Sequence, residues 1–331
     1  MAAFPAARRA VIRPLLARLA ASLVLLWLVL SALFLLLHLL PGDPVAAFED
    51  PRVPAEQRAR LRAVYGLDRP LAEQYVRWLG GALSGEWGYS FTYHRPVAAV
   101  LRDTVPLTLS LALTALLLEY ALGLGLGVAA AARAGSSLDH AIRAASLAIW
   151  AIPSFWLGLM AIAVGAVAWQ IFPPGGLATV GAEAWSWPRR AADFAWHLAL
   201  PAAAIGLPAA AATARFVRAT VLEQLAEPFI TAALARGLSR RRVLWRHALR
   251  AGMAPIAQLA GLSDAGLLSG SLNVEVVFGW PGVGRAAYEA LVARDYPLLL
   301  AATALSAGLV LVGSFLAETL HAALDPRVRD A

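Results

Sequence analysis

The sequence predicts an all-α membrane protein: six transmembrane helices, with a small extracytoplasmic subdomain after the first. Three observations carry this. Of 331 residues, 60% are hydrophobic and only 15% charged, and mean hydropathy is +0.65, a balance found in membrane proteins. Apolar runs of about 20 residues, the length a helix needs to cross ~30 Å of hydrocarbon, recur along the chain. Arginines gather on alternate sides of those runs, the positive-inside pattern.

Residues 1–18 carry Arg8, Arg9, Arg13 and Arg18 and no acid, which places the N-terminus in the cytoplasm. The apolar run from about Leu19 to Leu40 exceeds the about 7–15 residues of a signal-peptide core, so it reads as an uncleaved first span. Pro41-Gly42-Asp43-Pro44 stops it. His38 reads as an interfacial polar residue, since no partner at metal-ligand spacing accompanies it.

From Asp43 to Asp103, eight arginines and eight acidic residues cancel. A segment this long translocates regardless of its charge. Short helices are expected over Pro54–Tyr65 and Leu71–Leu83, and Trp78, Trp87, Tyr89 and Tyr93 suit a membrane interface. Residues 1–104 are therefore the first helix plus an extracytoplasmic subdomain, 105–323 a five-helix core, and 324–331 a cytoplasmic tail.

The remaining spans are expected near 105–132, 142–171 (interrupted by Pro153), 198–217 (with Pro201 and Pro208), 253–277 and 298–320. Gly123 and Gly127 form a Gly-x-x-x-Gly pair that lets helices approach closely. Both termini and the segment 223–250 then lie on the arginine-rich, cytoplasmic side.

That segment is the longest basic stretch, and its punctuation predicts two short helices. Pro228 belongs in a first helical turn, Gly237 can take the left-handed conformation that ends a helix, and Ser239 is a good N-cap for the next. Val243, Leu244, Ala248 and Leu249 give the second helix an apolar stripe amid arginines. A basic loop that only fixes topology is the simpler reading of the same charges.

Composition also excludes chemistry. Cysteine is absent, so there is no disulfide or thiolate site. All 28 basic residues are Arg. A P-loop needs a Lys on the phosphates, so any ATP that drives this protein binds another chain. The six histidines are scattered without His-Glu-x-x-His, and no metal site is expected. The net charge of +7 is explained by topology and anionic membrane lipid rather than by nucleic acid. Glu119, Asp264 and Glu275, the last just after Asn273, are ionisable groups at membrane depth. They either line a translocation path or make interhelical hydrogen bonds.

Thr231-Ala232-Ala233, followed by Gly237, resembles the Glu-Ala-Ala…Gly signature of the inner-membrane permease subunits of ABC importers, with Thr231 where the signature usually has Glu. The resemblance extends over almost the whole chain, through Leu36–Pro44, Tyr65–Leu71, Gln74–Gly81, Pro153–Gly158, Gly237–Ser239, Arg246–Arg250, Val276–Gly284, Ala293–Pro297 and Leu324–Arg329. In these segments the chain is similar to the first permease subunit of dipeptide/oligopeptide/nickel-type importers.

That resemblance implies a type I permease fold in the bacterial inner membrane and no catalysis by this chain. It implies three kinds of protein partner beside the membrane lipid: a second permease subunit, two ATPase subunits that hold ATP and Mg, and an extracytoplasmic substrate-binding protein. It places Thr231, Ala232, Ala233, Arg236, Gly237, Leu238 and Ser239 at the ATPase contact. It sets Phe278, Gly279, Trp280, Pro281 and Gly282 near the binding protein. The implied cargo is a peptide or a related small solute such as a nickel complex or glutathione-like molecule. Two other classes compete. An intramembrane enzyme would need more than Gly261-Leu-Ser263-Asp264-Ala-Gly266, which misses Gly-x-Ser-x-Gly. A secondary transporter would need no ATPase partner.

Overall fold

The structure is a computed structural model, and it describes residues 4–39, 68–253, 255–256 and 271–324, with side chains from 19 to 315. The expected helix over Pro54–Tyr65, most of the expected fifth span with Asp264, and the tail from 325 lie outside the described residues.

Helix α1 runs Phe4–Leu39. Much of its apolar stretch is exposed on this chain, including Leu23, Val24, Leu25 and Leu28, whereas Phe34 and Leu37 are buried. Phe34 packs on Tyr75 and Trp78 of α2, Leu71–Ser84. The Trp27 indole donates to the Tyr75 hydroxyl at 2.8 Å. Helix α2 matches its expected bounds and ends where Gly85 turns left-handed, φ +82°.

A two-stranded antiparallel hairpin follows, β1 Tyr89–Ser90 and β2 Arg95–Pro96. The all-α expectation did not contain it. Two residues per strand are too few to print an alternating pattern.

Helix α3, Val97–Ala132, starts eight residues before the expected Val105. The extra turns present Val97, Val100, Leu101 and Thr104, all buried, at helical spacing. The third span is interrupted at Pro153, as expected, and falls into two limbs. Ser137–Trp150 (α4) and Ser154–Ala168 (α5) meet at 101°. The break lies at Pro153, which lacks an N–H, disfavours helix in its predecessor and is itself extended, φ −59° and ψ 136°.

Helix α6, Trp187–Leu225, has 39 residues and contains both Pro201 and Pro208. At 1.5 Å per residue it is about 58 Å long, so the expected 198–217 covered only its most apolar part. Gly123 and Gly127 meet it as expected. A Cβ on Gly123 would lie 2.7 Å from Thr213 Cγ2, and one on Gly127 2.7 Å from the Ala214 carbonyl oxygen.

Pro228–Ala235 is α7. Helix α8 is built from Arg240–Arg242, a π-helical turn Val243–Ala248, and Leu249–Ala251. Residues 271–277 are helical (α9). Val283–Val292 is α10 and Tyr296–Leu324 is α11. Among the described residues, four helices are long and apolar enough to cross a membrane, five if the bent pair counts as one span.

The chain divides into two compact units. One holds Thr108–Trp280 with the segments 1–11 and 309–331; the other holds Ile12–Leu107 and Pro281–Gly308. The second thus joins 12–107 to 281–308, a segment within the 105–323 core that the sequence suggests. Its own core gathers Phe34, Leu37, Val97, Val100, Tyr296 and Leu298.

Candidate functional site

The hairpin α7–α8 is built by its local sequence. Glu227 is extended, φ −72° and ψ 145°, and Pro228 opens α7 at a position where no helical N–H is required. At the far end Gly237 has φ +82°. Its N–H donates to the Leu234 carbonyl at 2.9 Å, and the Leu238 N–H donates to that of Ala233 at 3.3 Å. This pair of bonds is a Schellman cap, which satisfies carbonyls that the helix end would orphan. Ser239 then caps α8, its hydroxyl accepting from the Arg242 N–H at 3.4 Å. Pro228, Gly237 and Ser239 therefore stand in the conformations their residue types predict.

One face of the hairpin packs on its own bundle. Ile230, Ala233, Val243 and Ala248 join Val128 and Ala131 of α3, Val217 and Val221 of α6, and Ile256 in one buried cluster, with Leu238, Leu244 and Leu249 at its margin. The opposite face is open. Thr231, Ala232, Arg236, Gly237 and Ser239 are exposed, as are Arg240, Arg241, Arg242, Arg246 and Arg250. Three large apolar side chains stand among them, Phe229, Leu234 and Trp245. The seven residues expected at a partner contact thus separate. Ala233 and Leu238 seat the hairpin, and the other five lie on its free surface. Arginine and exposed aromatic groups with few acids suit a partner surface that is acidic and partly apolar.

The ionisable groups at membrane depth separate too. Glu119 is 1% exposed and accepts from the Thr213 hydroxyl of α6 at 2.7 Å. Glu275 is fully buried and accepts from Thr108 of α3 at 2.8 Å. Both carboxylates therefore tie one helix to the next, the interhelical option the sequence left open. Asn273 is exposed, and Asp264 lies outside the described residues.

The loop after α9 is held from several sides. Phe278 is 2% exposed and Trp280 0%. The Phe278 carbonyl accepts from the Gly176 N–H at 2.8 Å. A Cβ on Gly175 would sit 2.2 Å from that same oxygen, so only glycine fits there. The Phe278 ring reaches to 3.0 Å from a Cβ built on Gly158 of α5. Trp280 packs on Phe194 with ring centroids 5.5 Å apart. Of the five residues expected to face outward here, Gly279 and Pro281 are partly exposed, whereas Phe278, Trp280 and Gly282 are buried.

Three polar ties escaped the sequence reading. Arg218 of α6 grips Asp139 of α4 through two bonds, Nε to Oδ1 at 2.6 Å and an η-nitrogen to Oδ2 at 2.7 Å. The Ser136-x-x-Asp139 cap was readable; a partner 79 residues away was not. Asp295 accepts from the Ser90 hydroxyl at 2.6 Å, the Thr92 N–H at 3.0 Å and the Leu298 N–H at 3.2 Å, which caps α11 and pins the β-hairpin. Its place one residue before Tyr296-Pro297 was a legible helix start. The Tyr93 hydroxyl donates to Glu289 at 2.7 Å. Burial first, then that carboxylate, pushes the phenol up to about 12. Among the described residues no cluster of three His, Asp or Glu could hold a metal ion.

Known proteins resemble this chain in sequence and in fold. Residues 123–330 match the family described as "Binding-protein-dependent transport system inner membrane component", and residues 11–112 match its N-terminal companion. The oligopeptide transport system permease protein AppB of Bacillus subtilis is 34% identical over 296 residues, covering 89% of this chain and 92% of the relative. The dipeptide transport system permease protein DppB of Escherichia coli K12 is 32% identical over 313 residues, with the same two coverages of 89% and 92%. Among solved structures, the inward-facing MetNI methionine ABC transporter superposes with a TM-score of 0.53 at 19% identity, over 68% of this chain and 96% of that one, a likeness of fold. This chain belongs to the binding-protein-dependent transport system inner membrane component family and is a permease subunit of that kind.

Proposed function

We propose that this permease is one of two membrane subunits of an ATP-driven bacterial importer whose cargo is a peptide. The relatives at about a third identity are permeases named for oligopeptides and dipeptides, which supports that cargo class. ATP and Mg belong to two separate ATPase subunits, consistent with a chain that has no lysine for a P-loop. This chain carries no catalysis of its own. A second permease completes the path, and a substrate-binding protein delivers cargo to the loop around Gly279 and Pro281. Both termini and the α7–α8 hairpin face the cytoplasm, as the arginine distribution favours. Asp264 and Asn273 line the path, while Glu119 and Glu275 hold its walls together.

The observation that carries this reading is the hairpin. It is a capped, basic projection seated on α3 and α6, with a free face of Thr231, Ala232, Arg236 and Trp245. Such a surface can take a push from a closing ATPase pair and deliver it to two spanning helices. Gly237→Val tests it, because a β-branched residue resists φ +82° and misplaces α8. The expected result is a complex that still contains the ATPase but loses cargo-stimulated hydrolysis and uptake. Normal stimulation in that variant would remove the coupling role.

A further inference from the structure

Helix α4 packs along α6 and leaves its other faces open. It presents one narrow stripe, Asp139, Ile142, Ser146 and Ile149, and is otherwise exposed, with Leu147 and Trp150 each more than half accessible. Within that stripe Asp139 is the fixed point. Its carboxylate is buried and receives both Arg218 bonds and a third from the Gly135 N–H at 2.9 Å. A bidentate guanidinium–carboxylate pair fixes orientation as well as distance. A second arginine of α6 acts on the same limb, Arg215 lying 4.7 Å from the centre of the Trp150 ring.

Arg218 stands seven residues before the end of α6 at Leu225, on the unbroken helix that leads into the hairpin. At its other end α4 meets the 101° break, beyond which α5 places Gly158 against the Phe278 ring. A continuous path therefore runs from the hairpin through α6, Arg218, Asp139 and α4, then along the backbone over the Pro153 break to α5 and the Phe278 loop, beside the direct packing of α5 on α6.

We propose that Asp139 and Arg218 are a positioning pair of the coupling machinery: they lock α4 to the helix that carries the hairpin, so that hairpin displacement passes across the Pro153 break to α5 and the Phe278 loop. The proposal rests on the importer reading and adds to it which polar contact carries the motion. A physical line of contacts becomes a route only when a discrete contact is shown to bias movement at both ends.

The absence of cysteine makes the test clean. Spin labels at Leu147→Cys on α4 and Glu223→Cys near the end of α6, both exposed positions, report whether the limb moves together with the helix that carries the hairpin. They are measured in the assembled complex with its ATPase, nucleotide-free and trapped with Mg-ATP and vanadate. In the otherwise unchanged chain the inter-label distance is expected to stay the same in both states. In Asp139→Asn it is expected to match without nucleotide and to shift or broaden on trapping. Arg218→Lys keeps the charge but loses the fork, and a smaller shift is expected; it also serves if Asp139→Asn fails to assemble. A distance that changes with nucleotide in the unchanged chain overturns the lock, as do variants indistinguishable from it in both states. Failure of any ATPase to bind the unchanged chain would instead remove the importer reading.

Discussion

Thr213 of α6 donates a 2.7 Å hydrogen bond to the Glu119 carboxylate of α3, one helical turn before Gly123 meets the same threonine's methyl carbon. The hydroxyl and the methyl of one side chain thus serve a polar and a steric contact between two spanning helices. Thr213→Val keeps the shape and deletes the donor. It should lower stability by about 1–3 kcal/mol, the scale of a hydrogen bond to a carboxyl group. Thermal unfolding in detergent measures it, and Thr213→Ser should recover most of the loss.

Gly127 leaves no room at the same interface. A Cβ there would lie 2.7 Å from both the Ala214 carbonyl oxygen and Val217 Cβ. Gly127→Leu should force α3 and α6 apart and cost at least about 1–3 kcal/mol, as overpacking does. Gly125, which faces open space two residues earlier, should accept Ala with little change in melting temperature.

Path and wall residues should respond differently. Asn273→Ala, at an exposed position, should reduce uptake while leaving the melting temperature nearly unchanged. Glu275→Ala, at a fully buried position bonded to Thr108, should lower the melting temperature before any transport measurement is made. Equal thermal stability for the two variants would erase the distinction between them.

The Tyr93–Glu289 bond gives a pH dependence with a definite sign. The folded phenol titrates at about 12 against an ordinary 10.0. Its pKa is raised on folding, so the stability it supplies is complete below pH 10 and is lost between pH 10 and about 12. Tyr93→Phe should flatten the alkaline limb of a stability–pH curve and leave the neutral region otherwise parallel to the original. An unchanged alkaline limb would remove the assignment.

What the sequence disclosed follows from range. The hairpin was legible almost residue by residue, because Pro228, Gly237 and Ser239 act through their own backbone preferences. The apolar spans were legible in position but not in length. Hydropathy marks where lipid-compatible surface lies, whereas 97–104 is helix through the packing of Val97, Val100 and Leu101, and 187–197 is a mostly exposed extension that opens with Pro188 in its first turn. Pro153 announced a break; its angle could not be read, since a proline marks where a helix stops and not where the next limb points. The Asp139–Arg218 pair joins residues 79 positions apart, and no local pattern encodes such a partner. Phe278 and Trp280 were expected to face a partner and are buried, because an aromatic in a loop reads alike whether it points in or out.

The most direct measurement is site-specific crosslinking from single cysteines, placed in a chain that has none, to the ATPase in the assembled complex. Thr231→Cys and Ala232→Cys lie on the free face of α7, and Ala233→Cys points into the bundle with 2% exposure. The expected result is crosslinking to the ATPase from positions 231 and 232 and none from 233. No crosslink from the free face, or equal crosslinking from all three, would contradict the hairpin as the place where the hydrolase engages this permease.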